Sequence, residues 1–170
     1  MSNSPLYGKY RGTVVNNIDP EQIGRIQVVV PDVTGLVPGS WAMPCLPISG
    51  INMGMFTVPN VGTKVWIEFE RGECDFPIWS GGFWGTASEV PALSRAVPAG
   101  IPGITLQTLA KNGIVISDTP GPSGGIQIQT ASGAMIVVND LGITIANGKG
   151  AVISLSGPTV DVNSGALTVT

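Results

Sequence analysis

The chain's most regular feature is an alternation of apolar and polar positions in its last third. Short runs read Ile126-Gln127-Ile128-Gln129, Ala134-Met135-Ile136-Val137-Val138, Ile143-Thr144-Ile145, Ile153-Ser154-Leu155, Val160-Asp161-Val162 and Leu167-Thr168-Val169. Period two is the mark of a β-strand with one face set apart from the other. Glycine separates the runs at positions 125, 133, 142, 150, 157 and 165, in steps of 8, 9, 8, 7 and 8. Glycine there supplies turns that need a positive φ. A fixed short period predicts a repeat architecture whose thin units cannot bury their own apolar face. The apolar stripe is Ile126, Ile128, Ile136, Val138, Ile143, Ile145, Ile153, Leu155, Val160, Val162, Leu167 and Val169. It reads either as the core of a monomeric sheet or as a surface between copies of the chain. Residues 113–170 hold no second layer to cover it.

The pattern before the rod is different. Residues 7–85 predict short strands punctuated by Gly, Pro and Asn. Tyr10–Asn16 is one. In Gly24–Val30 an inner set, Ile26, Val28 and Val30, alternates with Arg25, Gln27 and Val29. Trp41–Leu46 is broken by proline. In Thr63–Glu70 Val65, Ile67 and Phe69 alternate with Trp66, Glu68 and Glu70, and Phe76–Gly81 follows. No stretch gives an amphipathic helix. Five or six short strands in so few residues predict a small barrel. Residues 86–112, with Pro91, Pro98 and Pro102, read as a neck or linker. The expected fold class is all-β: a barrel, a neck and a glycine-spaced rod over 113–170.

Composition sharpens this. Of the 170 residues 43% are hydrophobic and only 11% charged, less than half the usual charged share. Residues 1–95 carry 14 of the 19 charges, and residues 96–170 carry Lys111, Lys149, Asp118, Asp140 and Asp161. A β-rich segment so poor in charge aggregates if its edges and faces stay open, so it belongs in an obligate assembly. The formal net charge of −3 and the lack of a basic run disfavour nucleic acid as a partner. No run approaches the roughly 20 apolar residues of a membrane helix. The start, Met1-Ser2-Asn3-Ser4-Pro5, does not read as a secretory signal, so assembly in the cytoplasm is expected. Cys45 and Cys74 are expected to be buried thiols, neither a disulfide nor a metal pair.

Several segments carry a resemblance. They are Gly12–Pro20 (GTVVNNIDP), Gly24–Pro31 (GRIQVVVP), Trp41-Ala42 followed by Pro44, Pro59–Glu70 (PNVGTKVWIEFE) with Gly72, and Pro77–Trp84 (PIWSGGFW). In order and spacing this set resembles the oligonucleotide/oligosaccharide-binding (OB) barrel of contractile injection spikes: phage baseplate assembly protein V and the C-terminal half of VgrG-type proteins. Residues 113–170 are similar in type to the octad repeats of that family's trimeric β-helix. The resemblance implies an OB barrel over 7–85, a neck over 86–112, and an intertwined trimeric β-prism over 113–170 with the apolar stripe on a dry three-fold axis. The 27-residue gap is too short for the lysozyme domain some relatives insert. The chain contains no histidine, so the His-x-His iron tip of other relatives is absent. The N-terminal hub region of VgrG proteins is also missing, which implies a separate baseplate hub protein at the OB end. At the other end Leu167, Thr168, Val169 and Thr170 are expected to dock a tip protein of the PAAR type.

Other chemistries weigh less. Gly121-Pro122-Ser123-Gly124-Gly125 fits Gly-x-Ser-x-Gly, but a nucleophile elbow needs a following helix and a histidine base. A turn is the better reading. Glu68, Glu70, Glu73 and Asp75 could pair for glycoside hydrolysis, but Glu68 and Glu70 share the polar face of a strand, so a solvated face or a docking surface fits better. Trp41, Trp66, Trp79, Phe83 and Trp84 could stack bases. The acidic balance of residues 1–95, six basic against eight acidic groups, favours packing. The expected function is therefore a non-enzymatic homotrimeric spike of a phage tail baseplate or phage-derived injection particle. It needs no cofactor and no metal, binds no nucleic acid and meets the target membrane only on firing. The alternatives are an OB binding module for nucleic acid or glycan, and an envelope-degrading enzyme.

Overall fold

The computed structural model describes residues 4–169. The chain divides into two compact units, residues 1–87 and 88–170. Each is all-β apart from short helical turns.

The first unit is built on strands β1 (Tyr10–Asn16), β2 (Gln27–Val29), β3 (Met43–Pro44), β6 (Lys64–Phe69) and β7 (Pro77–Gly82), in the order β2-β1-β6-β7-β3. All neighbours run antiparallel except β3 and β7. The Ile26–Ala42 bridge joins the β2 side to the β3 side, with Ala42 N–H donating to the Ile26 carbonyl at 2.8 Å. This closes the sheet into the barrel expected from the pattern. The alternation decides which side chains enter. Ile26, Val28, Val30, Val65, Ile67 and Phe69 are all buried, joined by Val14, Ala42 and Trp79. The Trp79 indole N–H donates to the Gly24 carbonyl at 3.1 Å, so its one polar atom is satisfied inside. A one-turn helix, Pro31–Thr34, follows β2 where Pro31 ends the strand. A two-stranded hairpin, β4 (Ser49–Gly50) and β5 (Met53–Gly54), stands outside the barrel sheet.

The second unit is one eight-stranded antiparallel meander. Its strands are β8 (Gly103–Gln107), β9 (Gly113–Ser117), β10 (Gly125–Gln129), β11 (Met135–Asn139), β12 (Gly142–Ala146), β13 (Val152–Ser156), β14 (Thr159–Val162) and β15 (Leu167–Val169). Each pairs with its neighbours in sequence. Two glycines show why the spacing is needed. A Cβ on Gly125 would overlap the Val138 carbonyl oxygen, and one on Gly142 would overlap that of Leu155. Both have positive φ, 84° and 137°. The other repeating glycines lie in the turns. Asparagine braces the turns as well. Asn147 Oδ1 accepts from the Lys149 and Ala151 amides, Asn112 Oδ1 from Ala131, and Asn163 Oδ1 from Val152. The last two bonds tie one turn to another turn or strand beside it.

Three expectations change. Residues 86–112 are not wholly a neck: Gly103–Gln107 is the first strand of the sheet, and short 3-10 turns form at Ala87–Glu89 and Ala92–Ala96. Leu93 N–H donates to the Gln107 side chain at 2.9 Å, and Leu93 and Val97 lie against Gly113 and Gly103. The prolines break regular structure but leave this segment folded onto β8 and β9, where Val115 and Ser117 become buried. Second, the interwoven β-helix is not what the strand pairing shows. Strands β9 to β14 have both backbone edges bonded within their own chain. Third, Cys45 and Cys74 are free and exposed. They sit beyond the short β3 strand and in the turn between β6 and β7, where neither reaches the core. Among the described residues no helix is long and apolar enough to cross a membrane.

Candidate trimer interface

Register turns the alternation of the second unit into a surface. One row runs Ile104, Ile116, Ile126, Val138, Ile143, Leu155, Val160, Val169, each directly paired with the next. The second row runs Leu106, Ile114, Ile128, Ile136, Ile145, Ile153, Val162, Leu167. Successive side chains of a strand point to opposite faces, so residues two apart share one. Both rows therefore lie on the same face: sixteen aliphatic side chains without a polar interruption. Seven strand spacings make each row about 33 Å long. All but Val162 are 36–60% exposed, and among the described residues no other element of the unit lies over them. The opposite face carries Thr105, Val115, Gln127, Val137, Thr144, Ser154 and Asp161 in its central row. Leu93 and Val97 lie on that opposite side, so the folded neck leaves the apolar face open.

All twelve stripe residues expected from the sequence fall in these rows. Four were missed: Ile104, Leu106, Ile114 and Ile116. Ile104-Thr105-Leu106 alternates like the rest, and Ile114-Val115-Ile116 is a short β-branched run. The signal was present, but Pro98 and Pro102 drew the first pair into the supposed neck. Of the four residues expected at the tip, Leu167, Thr168 and Val169 form β15, which bonds to β14 on one edge. Thr170 lies outside the described residues.

The alternative sites come apart. Ser123 sits in a 3-10 turn, Gly121–Ser123, that leads straight into strand β10. The turn is tied to the β11–β12 connection: Gly121 N–H donates to Asp140 at 2.9 Å, and Asn139 donates to the Pro122 carbonyl at 3.1 Å. Glu68 pairs with Lys9 at 2.7 Å, and Lys9 also donates to Ser80. Glu70 and Glu73 line a shallow depression with Arg71 and Phe76. Trp66 and Phe83 stack on each other, centroids 4.6 Å apart, with the Arg11 guanidinium 5.8 and 5.4 Å from their centroids. These aromatics are already occupied by one another and by a cation.

The strongest electrostatic feature holds a loop. Asp19 Oδ1 accepts from the Glu21 amide and from Arg25 Nε and Nη2, while Oδ2 accepts from the Ile23 and Arg25 amides. Arg25 also pairs with Glu21 at 3.0 Å and lies over Trp41. The Arg25 guanidinium, helped by these amides, holds the Asp19 carboxyl far below its ordinary value of 3.8. This knot fastens the β1–β2 loop and has no open position for a substrate.

Two family models match the chain. Residues 10–84 match the type VI secretion system/phage-baseplate injector OB domain. Residues 103–168 match the phage baseplate V C-terminal trimerisation domain. The second match begins at the first residue of β8 and spans both aliphatic rows but for Val169. A search of curated proteins finds no match.

Proposed function

Since the chain belongs to the baseplate-V family of injector spike proteins, we propose that it forms the puncturing rod at the centre of a contractile baseplate, through the face that carries the two aliphatic rows. The coarse role follows from membership: a structural, trimerising component of a phage-type baseplate. The finer reading concerns geometry. Three meanders turn their apolar faces inward and make a three-sided prism. Residues Ile126, Ile128, Ile136, Val138, Ile143, Ile145, Ile153, Leu155, Val160, Val162, Leu167 and Val169, with the four found on β8 and β9, line its dry axis. The observation that carries this is the unbroken pairing of sixteen aliphatic side chains on an uncovered face. Soluble monomers rarely expose contiguous apolar patches beyond a few hundred Å². A closed three-fold arrangement covers such a face on every copy at once.

The mechanical reading changes with the fold. Stiffness does not come from strands exchanged between chains. Each sheet is held by its own backbone ladder, and the sheets are held to one another by apolar packing. Contraction of a surrounding sheath drives the assembled rod through the target envelope. The work is mechanical, with neither an enzymatic step nor a cofactor, and the particle assembles in the cytoplasm before it fires. The barrel unit docks a separate hub. A PAAR-type tip protein caps the outer edge of β15, which has no partner strand among the described residues. Light scattering tests the core of this reading. The expected mass is three times 17.5 kDa, and a stable, folded monomer would overturn it.

A further inference from the structure

The barrel unit carries an apolar element that its own core does not use. From Val33 to Thr63, 31 residues, the chain has no Asp, Glu, Lys, Arg or His. The β4–β5 hairpin lies at the centre of this stretch. Ile51 at its turn is 95% exposed, and Ile48, Met53, Met55 and Phe56 around it are exposed too. They belong to one small structure. Gly50 pairs with Met53, Ser49 with Gly54, and the Met55 N–H donates to the Ile48 carbonyl at 3.1 Å. The hairpin is seated on the barrel: the Phe56 ring lies beside Gly24. It is thus a positioned apolar projection.

We infer that this hairpin packs against the barrel unit of a neighbouring copy in the trimer. Surfaces that meet a partner only on demand are about as polar as the rest of a protein surface, whereas obligate interfaces resemble a core cut in half. A 31-residue segment without a charge belongs to the obligate kind. The obligate partner that the trimerisation domain supplies is another copy of this chain. Once the second units have joined, the barrel units are tethered to one another, and a contact between them forms at an effective concentration of about millimolar. Five exposed apolar side chains suffice for a contact under that condition, though not for free barrels in dilute solution. Met53 and Met55 suit such a contact, because the unbranched thioether chain fills irregular gaps. The inference rests on the trimer, and its test separates the two.

Methionine oxidation reads the contact directly. The full-length chain is treated with dilute hydrogen peroxide, and sulfoxide formation is followed at Met53, Met55 and Met135. Met135 lies on the face of the second unit opposite the aliphatic rows and reports whether the sheet stays folded. Two variants are compared with the parent chain. Ile145→Asp is expected to give monomers by light scattering, and Met53 and Met55 should then oxidise at least about fivefold faster, as the millimolar tether is lost. Ile51→Asp is expected to keep the trimer mass, because Ile51 is outside the aliphatic rows, and yet to expose Met53 and Met55 by a similar factor. If Ile145→Asp remains trimeric, the prism reading fails while the Ile51→Asp arm still decides the hairpin. Oxidation at Met53 and Met55 as fast in the parent trimer as in monomers overturns the inference and leaves the hairpin free for a different protein. So does an Ile51→Asp trimer with unchanged rates.

Discussion

The two units use the same alternation of apolar and polar residues to opposite ends. In the barrel the sheet closes on itself, so the inward side chains of β2 and β6 meet one another and are buried. In the meander the sheet stays open, and among the described residues only Val115 of its hydrophobic side chains is buried. The local pattern is equally clean in both. The difference lies in whether the chain supplies the second surface. Where a bridge such as Ile26–Ala42 brings the sheet round, a domain completes itself. Where consecutive strands only add to an edge, the apolar face is left for another molecule. A charged residue on the inner face should therefore do different damage in the two units.

The largest effects come from charges placed on the two inner faces. Ile67→Asp places a charge at a fully buried position and should unfold the barrel, since an unpaired buried charge costs several kcal/mol, a large part of a domain's stability. Ile143→Asp or Ile145→Asp should leave each meander formed but prevent assembly, because three carboxylates would converge on a dry axis. Thr144→Asp lies on the opposite face and should change the assembly little. Circular dichroism and light scattering on the four variants check this. Equal tolerance at 143, 144 and 145 would show that the face is wrong.

How far the sequence alone reached follows the same division. Period-two patterns marked the barrel strands and their inner residues correctly, because burial there depends on neighbours within a few dozen residues. Ile126 through Val169 were also legible as one stripe. The pairing of those strands within the chain was not. Alternation says that a face is apolar, but not whether its strand edges bond within one chain or between chains. That is decided by turn geometry, by glycines such as Gly125 and Gly142 and by asparagines such as Asn147 that close tight reversals. The start of the sheet was lost for a related reason. Proline density over 91–102 marks irregular backbone, yet it does not say whether that backbone hangs free or lies on a sheet, as Leu93 and Val97 do. The exposed cysteines were misread because residue type alone carries no information on position within a loop.

Glycine substitutions weaken the sheet without touching its apolar face. Gly142→Ala forces a side chain onto the Leu155 carbonyl at a φ that only glycine readily adopts. It should cost on the order of 3 kcal/mol. Gly150→Ala meets no atom within contact distance, although its φ is also positive, and should cost about 1–2 kcal/mol. Thermal unfolding followed by circular dichroism would rank them. Equal losses would mean that the repeat tolerates a Cβ at the strand start.

A smaller effect, confined to the barrel unit, concerns Asp19. Its carboxyl titrates far below the ordinary aspartate value of 3.8, chiefly through Arg25. A depressed folded-state value contributes stability that is fully present above the unfolded value and is lost as pH falls below it. The stability of the parent barrel should therefore decline below about pH 4. Asp19→Asn should lower stability at neutral pH and flatten that decline, while the trimer mass stays the same. Unfolding midpoints at pH 7, 4 and 2.5 would test the sign. A parallel shift of both proteins across that range would remove Asp19 from the account.

The smallest expected effect is none at all, and it bears on the barrel as a binding module. An OB-type surface that grips single strands needs aromatic faces open for stacking and cations free to follow phosphate. Here Trp66 and Phe83 stack on each other beneath Arg11, and Lys9 is engaged by Glu68 and Ser80. Trp79 is buried and Trp41 lies under Arg25. Trp84 is exposed, but a base stacked on it would meet a unit whose charge balance is already acidic, and at the other rings it would have to displace these contacts. Binding of single-stranded oligonucleotides at physiological salt should therefore be weaker than micromolar, and Arg11→Ala should change neither that result nor the trimer mass. Fluorescence anisotropy with a labelled 20-mer provides the measurement. A submicromolar signal that falls on Arg11→Ala would mean that the packed aromatic pair opens for a ligand, and the barrel would then be a binding surface in its own right.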